Sequence, residues 1–419
     1  MIRLGSRIAV VAVVVALVAV ALNAAAAPRP QTPPPTPVPP RGSPSPFPTA
    51  LATPSNPSRE PAIPAAAALL ADLDTGQVLF SKDPTAPRPI ASVTKIMTAL
   101  VTLESLPLDR MVRVDPRAVF ERDDFGASST LGLRAGERIS VENLLYALLL
   151  GSANDAALAL AIEVDGSEVA FVHHMNDRAR QLGLRQTRFF SASGLDDRGH
   201  STPRDLLRLE RAADRAGAFR TITATRFRGI PAPAGRDRVI QNRNALLWLY
   251  PGTIGTKTGS TEEAGFCLVA AATRDGRRLV AIVLDAPREA FSSAATLLEY
   301  GFEGWEERTL VREGDPAGTL AIEGGTVPVV AGATLEALVP LDAPQPSSRA
   351  VADPAAAFPP APGEQVGSLA VRIDSQLMGR APLVVPAVPP APASAGPWWA
   401  RTVEAIAGGV VDAVRALAA

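Results

Sequence analysis

The chain has 419 residues, 47% hydrophobic and 20% charged, which is more than one hydrophobic core usually serves. Its formal net charge of -1 excludes nucleic acid as a main partner, because phosphate binding needs an excess of cations. A lone cysteine, Cys267, excludes an intramolecular disulfide, and His173, His174 and His200 show no metal-ligand spacing, so neither a metal nor an organic cofactor is implied.

At the start, Arg3 and Arg7 precede an apolar run from Ile8 to Leu22 and the small residues Ala24 to Ala27. These are the parts of a secretory signal over residues 1–27. Run plus alanines also reach roughly the 20 residues that span a bilayer, so an uncleaved anchor fits the same stretch. Either reading puts the rest of the chain outside the cytoplasmic membrane. Residues 28–62 are dominated by Pro, Thr and Ser and read as an extended, polyproline-like linker.

A globular pattern begins near Ala66, and the domain is placed at residues 63–304. A-L-L-A-D-L-D-T-G-Q-V-L-F predicts two strands joined at Asp74-Thr75-Gly76. Thr94 to Leu103 has helical spacing, and Ser140 to Leu150 and Asn154 to Val164 read as buried helices. From Thr253 the pattern is strand: G-F-C-L-V-A-A-A-T and R-L-V-A-I-V-L flank Arg274-Asp275-Gly276-Arg277, a hairpin signal, and the apolar run Gly265 to Ala272 makes Cys267 a buried, inert thiol. Strands at both ends with helices between predict an α+β domain, an antiparallel sheet covered by helices.

Past Trp305, G-D-P-A-G-T-L-A-I at Gly314 to Ile322 is echoed by G-E-Q-V-G-S-L-A-V at Gly363 to Val371, which predicts a small all-β domain over 305–386. A second proline-rich linker covers 387–397. In 398–419, Trp399, Val403, Ile406, Val410, Val414 and Leu417 share one helical face, an amphipathic helix that fits a membrane interface or a protein surface.

The chemistry is carried by lysine. Of 41 basic residues only Lys82, Lys95 and Lys257 are lysines. Ser92 and Lys95 sit at i and i+3, close enough to touch on a helix. Serine needs a base to become a nucleophile, and a neutral lysine can serve where arginine, which stays protonated, cannot. A position at a helix N-terminus would add backbone N–H groups for a developing oxyanion. Two further signals join this pair: Ser152-Ala153-Asn154 between two apolar helices, and Lys257-Thr258-Gly259 ahead of Ser260 and a strand. Each arises by chance as a cap or a loop, but all three in this order, with two of the three lysines, point to one site.

S-x-x-K, S-x-N and K-T-G together, set within D-L-D-T-G-Q-V-L-F, L-L-L-G-S-A-N-D-A-A and Y-P-G-T-I-G-T-K-T-G-S-T, resemble the serine D-alanyl-D-alanine carboxypeptidases, the low-molecular-mass penicillin-binding proteins. The resemblance covers about Ala66 to Gly301 and, more weakly, Gly314 to Val385. It implies a β-lactamase/transpeptidase-like catalytic domain and a small β domain, located outside the cytoplasm. The implied substrate is a peptidoglycan stem peptide ending in D-Ala-D-Ala, with β-lactams as inhibitors. By motif, Ser92 is the implied nucleophile and Lys95 its base, while Ser152 and Asn154 relay a proton and hold the peptide. Lys257 and Thr258 would bind the substrate carboxylate, Gly259 would admit the substrate to the strand edge, and the amides of Ser92 and Ser260 would form the oxyanion hole. Ala153 and Ser193 depart from the glycine and histidine common in the family, and His200 reads as structural. Three alternatives stay open: a DD-endopeptidase, a class A-like β-lactamase and a non-catalytic wall-binding protein. Against the β-lactamase, none of Glu163, Glu168 and Glu210 opens the E-x-x-L-N segment that its deacylation needs.

Overall fold

The computed structural model describes residues 60–120, 129–233, 235, 237–287 and 290–387. The expected signal or anchor, most of the first linker, the second linker past residue 387 and the C-terminal helix lie outside the described residues.

In chain order, β1 (Ala67–Asp72) and β2 (Val78–Lys82) are followed by β3 (Arg88–Pro89), a 3-10 turn (Ala91–Thr94) and α1 (Lys95–Ser105). Next come β4 (Met111–Arg113), β5 (Arg138–Ser140), α2 (Val141–Leu149), α3 (Asn154–Asp165), α4 (Glu168–Gln181), β6 (His200–Ser201), α5 (Pro203–Asp214) and α6 (Gly217–Ala224). The hairpin β7 (Phe227–Ile230) and β8 (Arg238–Gln241) and the short α7 (Leu246–Leu249) lead into β9 (Thr253–Thr261), β10 (Gly265–Arg274), β11 (Arg277–Ala286) and α8 (Phe291–Gly304).

The large sheet has the order β2-β1-β11-β10-β9, antiparallel throughout, so the first and last strands of the region meet at its centre, with Leu69 opposite Ile282. Strand side chains alternate between faces, and here both faces are apolar. Leu69, Val269, Val280 and Ile282 join the helical core, while Leu70, Leu268, Leu279 and Val283 pack under α8. The expected β10–β11 hairpin forms as predicted. Asp275 (φ 51°) and Gly276 (φ 81°) both take the left-handed conformation that a two-residue hairpin turn requires. Strand β9 ends the sheet, leaving one edge free of a strand partner.

Helix α1 runs through the helical layer, and every residue from Lys95 to Thr102 is buried. Its buried hydroxyls find partners: Thr98 Oγ1 donates to the Ala192 carbonyl at 2.6 Å and Thr102 Oγ1 to the Thr98 carbonyl at 2.8 Å.

From Trp305 to Val384 the structure is all strand: β12 (Trp305–Val311), β13 (Pro316–Ile322), β14 (Gly325–Ala331), β15 (Leu335–Pro340), β16 (Ser347–Ala352), β17 (Gln365–Ile373) and β18 (Gln376–Val384). They form a β13-β14-β18-β17-β16 sheet and a β12-β15 pair. The sequence echo is a repeated turn. The Gly314 amide donates to the Ala331 carbonyl at 2.7 Å, and the Gly363 amide donates to the Val385 carbonyl at 2.7 Å. The return bonds match, from Ala331 N to Asp315 O and from Val385 N to Glu364 O. Gln77 clasps this region to the large sheet, since its side chain donates to the Leu338 carbonyl at 2.5 Å and accepts from the Leu338 amide at 3.0 Å. No helix among the described residues is long and apolar enough to cross a membrane.

Candidate active site

Ser92 lies on the 3-10 turn ahead of α1, one turn before the residue that opens the helix. The expected helix therefore begins a residue later than its spacing suggested, and the serine stands in front of it. Gly194 approaches this turn closely: even a methyl group there would stand 2.0 Å from the Ala91 carbonyl oxygen. Ala91 itself is held at φ 45°, an uncommon conformation for a residue with a side chain.

Lys95 is wholly buried. Its Nζ lies 2.9 Å from Ser92 Oγ, 2.8 Å from Asn154 Oδ1 and 2.5 Å from the Ser193 carbonyl oxygen. The last two are pure acceptors, so each takes an N–H. A neutral amine has two hydrogens and one lone pair, and with both hydrogens committed the lone pair is left facing the Ser92 hydroxyl. The electrostatics favour that neutral form. Burial pushes the Lys95 amine down from 10.5 to about 7, Arg243 adds to the push, and Asp155 opposes it.

The second lysine completes the cluster. Lys257 Nζ donates to Ser152 Oγ at 3.1 Å and to the Thr258 carbonyl at 2.7 Å. Burial first, then the Lys95 and Arg243 charges, hold it well below the ordinary lysine range. Ser152 reaches it from a strained backbone, φ 60°, between α2 and α3. Gly259 packs against the nucleophile's own turn: a methyl there would stand 2.9 Å from Ile90 O and 3.0 Å from the amide nitrogens of Ser92 and Val93. Ser260 is exposed one residue further along β9, and the Thr258 side chain is half-buried.

Thus Ser92, Lys95 and Asn154 are joined by direct hydrogen bonds, as are Ser152 and Lys257, and Gly259 seats the strand against Ser92. Such a set can remove a proton from a hydroxyl, hold an oxyanion on backbone amides and bind an anion beside the reacting centre. His200 does not join it: it pairs through its backbone with Pro89 and Arg188, and its Nδ1 meets the Arg198 carbonyl at 2.8 Å. The Cys267 thiol is buried and pushed up to about 12 by that burial, which removes its nucleophilic form. Among the described residues, no group of His, Cys, Asp or Glu is placed to hold a metal ion.

Sequence reasoning missed Arg243. Arg243 is exposed as a residue, yet enough of its guanidinium is covered for burial to lower its pKa, and it presses on both lysines. Two buried asparagines fix the turn that displays it. Asn242 Nδ2 donates to the Thr223 and Thr225 carbonyls, and Asn242 Oδ1 accepts from Asn244 N at 2.9 Å. The available signal was the triplet Asn242-Arg243-Asn244, which directly follows β8 in the structure.

Residues 53–288 match the family described as D-alanyl-D-alanine carboxypeptidase. The chain is 38% identical over 247 residues to the D-alanyl-D-alanine carboxypeptidase DacB2 of Mycobacterium tuberculosis, covering 57% of this chain and 82% of that protein. It is 35% identical over 242 residues to the D-alanyl-D-alanine endopeptidase of Escherichia coli, covering 57% and 76%. Among solved structures, penicillin binding protein 5 of Haemophilus influenzae superposes with a TM-score of 0.65 at 27% identity, over 78% of this chain and 98% of that one.

Proposed function

This chain belongs to the D-alanyl-D-alanine carboxypeptidase family, and we propose that it removes the terminal D-alanine from peptidoglycan stem peptides through an acyl-enzyme on Ser92. The observation that carries the reading is the buried Lys95 Nζ, 2.9 Å from Ser92 Oγ with Asn154 Oδ1 and the Ser193 carbonyl oxygen as its other partners, an arrangement in which the neutral amine would turn its lone pair to the hydroxyl.

In this mechanism the substrate's main chain lies along the free edge of β9, with its carboxylate against Lys257, Thr258 and the Arg243 guanidinium. The carboxylate supplies negative charge beside Lys257 and Arg243, so binding favours a chain end. Lys95 takes the hydroxyl proton as Ser92 Oγ attacks the penultimate carbonyl. The backbone amides of Ser92 and Ser260 hold the oxyanion. The proton taken by Lys95 returns through Ser152 to the departing D-alanine amine, which leaves Lys95 neutral again. Lys95 then takes a proton from the water that attacks the acyl ester, and that proton goes back to Ser92 Oγ as the shortened peptide leaves. β-Lactams would acylate the same serine, and slow deacylation would leave them in place. In support, none of Glu163, Glu168 and Glu210 opens an E-x-x-L-N segment, and Glu163 is paired with Arg110 while Glu168 accepts from the Ala192 amide.

The charged, apolar and small-residue pattern of 1–27 supports export, by a cleaved signal or by an anchor, to the peptidoglycan side of the cytoplasmic membrane. The amphipathic pattern of 398–419 supports a second membrane contact. The change to all-strand structure at Trp305 supports a domain boundary at 304/305.

Labelling with a fluorescent penicillin tests the reading. Wild type should carry the label on the peptide containing Ser92, and Ser92→Ala should carry none. A wild type that never labels, or a Ser92→Ala protein that still does, defeats it. Digestion of purified muropeptides then separates free D-alanine, the expected product, from released monomers, the endopeptidase product.

A further inference from the structure

One carboxylate beside this site has no part in the mechanism so far. Asp155 follows Asn154 in the first turn of α3 and is 1% exposed. Its Oδ1 accepts from Leu131 N at 2.9 Å and from Ala156 N at 2.9 Å, and its Oδ2 from Gly132 N at 2.9 Å and Leu133 N at 3.0 Å. Ser129 O accepts from Asn154 N at 2.8 Å. The 129–133 loop is therefore stapled to the residue that holds the Lys95 amine. A buried carboxylate with four amide donors is satisfied in place, and its charge still acts on whatever lies near.

The other charges here come from separate elements. Lys95 lies on α1, Lys257 on β9 and Arg243 on the turn after β8. Arg238, on β8, donates to Gly132 O at 3.0 Å and forks onto Glu137, so that pair is largely self-compensating. Of the carboxylates, Asp155 is the one that favours the charged form of Lys95.

We propose that Asp155 is a positioning residue for acylation, whose carboxylate fixes the 129–133 loop to the start of α3 and provides the negative charge that balances the cations around Lys95. The proposal rests on the reading of Lys95 as base. It separates two effects of one side chain, geometric through the loop amides and electrostatic through Lys95.

The test is the pH profile of Ser92 acylation by a fluorescent penicillin, measured on the full purified chain. In Asp155→Asn, burial and Arg243 act unopposed, so the amine frees its lone pair at lower pH. The acid limb should move down by about one pH unit, the low end of what a nearby opposite charge does. Asp155→Glu keeps the charge and mis-sets the amides, so it should lower the rate while leaving the limb at the wild-type position. Should Asp155→Asn fail to fold, Asp155→Ser, which leaves room for water at the amides, carries the same expectation. A folded neutral variant with an unmoved limb, or a Glu variant that shifts like the neutral ones, overturns the proposal alone. A wild type that labels on Ser92 without any acid limb overturns the Lys95 reading and this proposal together.

Discussion

Gly259→Ala puts the packing of the site to a direct test. The added methyl would stand 2.9 Å from Ile90 O and 3.0 Å from the Ser92 and Val93 nitrogens. Non-bonded heavy atoms are comfortable at about 3.5 Å, so strand and nucleophile turn must part by roughly half an ångström. All three neighbours are backbone atoms, and no side-chain rotation relieves the contact. Overpacking of this kind costs about 1–3 kcal/mol, a fall of several degrees in Tm for a region this size. The kinetic effect should be the larger one. A shift of about 1 Å can cost a reaction 100-fold, so half that suggests roughly 10-fold slower acylation. Gly229→Ala, in β7, is the control, because its methyl meets nothing within 4 Å. The assay is the second-order rate of fluorescent-penicillin acylation with a thermal melt alongside. A Gly259→Ala protein with wild-type rate and Tm would mean that the strand can recede freely, and the contact would then not set the site.

Wild-type acylation should rise as the pH passes through about 7, where the Lys95 amine loses its proton. Arg243 lowers that value, so Arg243→Gln should move the limb upward and raise KM for a D-Ala-D-Ala peptide; an unchanged limb and KM would remove Arg243 from the site. Glu210 is wholly buried, and burial, then Asp214, pushes it up from 4.5 to about 8, with Thr256 and Arg278 opposing. The unfolded chain gives up this proton near 4.5 and the folded chain only near 8, so its contribution to stability is whole below that window and lost across it. The loss amounts to a few kcal/mol. Glu210→Gln should therefore gain Tm over wild type at pH 8 more than at pH 5, and parallel Tm profiles would refute the assignment.

The parts of the site readable in the sequence were those whose spacing is set by one local element. Ser92 and Lys95 share a helical turn, Ser152 and Asn154 share one junction, and Lys257 to Ser260 share one strand. Arg243 escaped because no periodicity links it to the lysines; the β7–β8 hairpin and two buried asparagines bring it there. Asp155 escaped for a related reason. Three of its four amide partners lie 22 to 24 residues earlier, in a loop without a motif. Gly259 was legible as a glycine beside a substrate, but its packing against Ile90 to Val93 was not. The β10–β11 hairpin and the Gly314 and Gly363 turns were legible because turn chemistry is local.

The distribution of cations over the site follows from what each can give up. Two positive charges buried side by side, with few counter-charges, are costly to desolvate. A lysine can meet that cost by releasing its proton, and an arginine cannot. Lys95 and Lys257 occupy the buried positions, while Arg243, which must stay charged, lies at the exposed rim. The third lysine, Lys82, is exposed and donates to the Ile63 carbonyl at 2.9 Å, where arginine could serve as well. In a chain that otherwise uses arginine, lysine was kept where a cation must be able to become neutral. On the proposed reading the same logic would favour a free chain end, because a substrate carboxylate beside Lys257 would favour the charged form that burial and Arg243 disfavour.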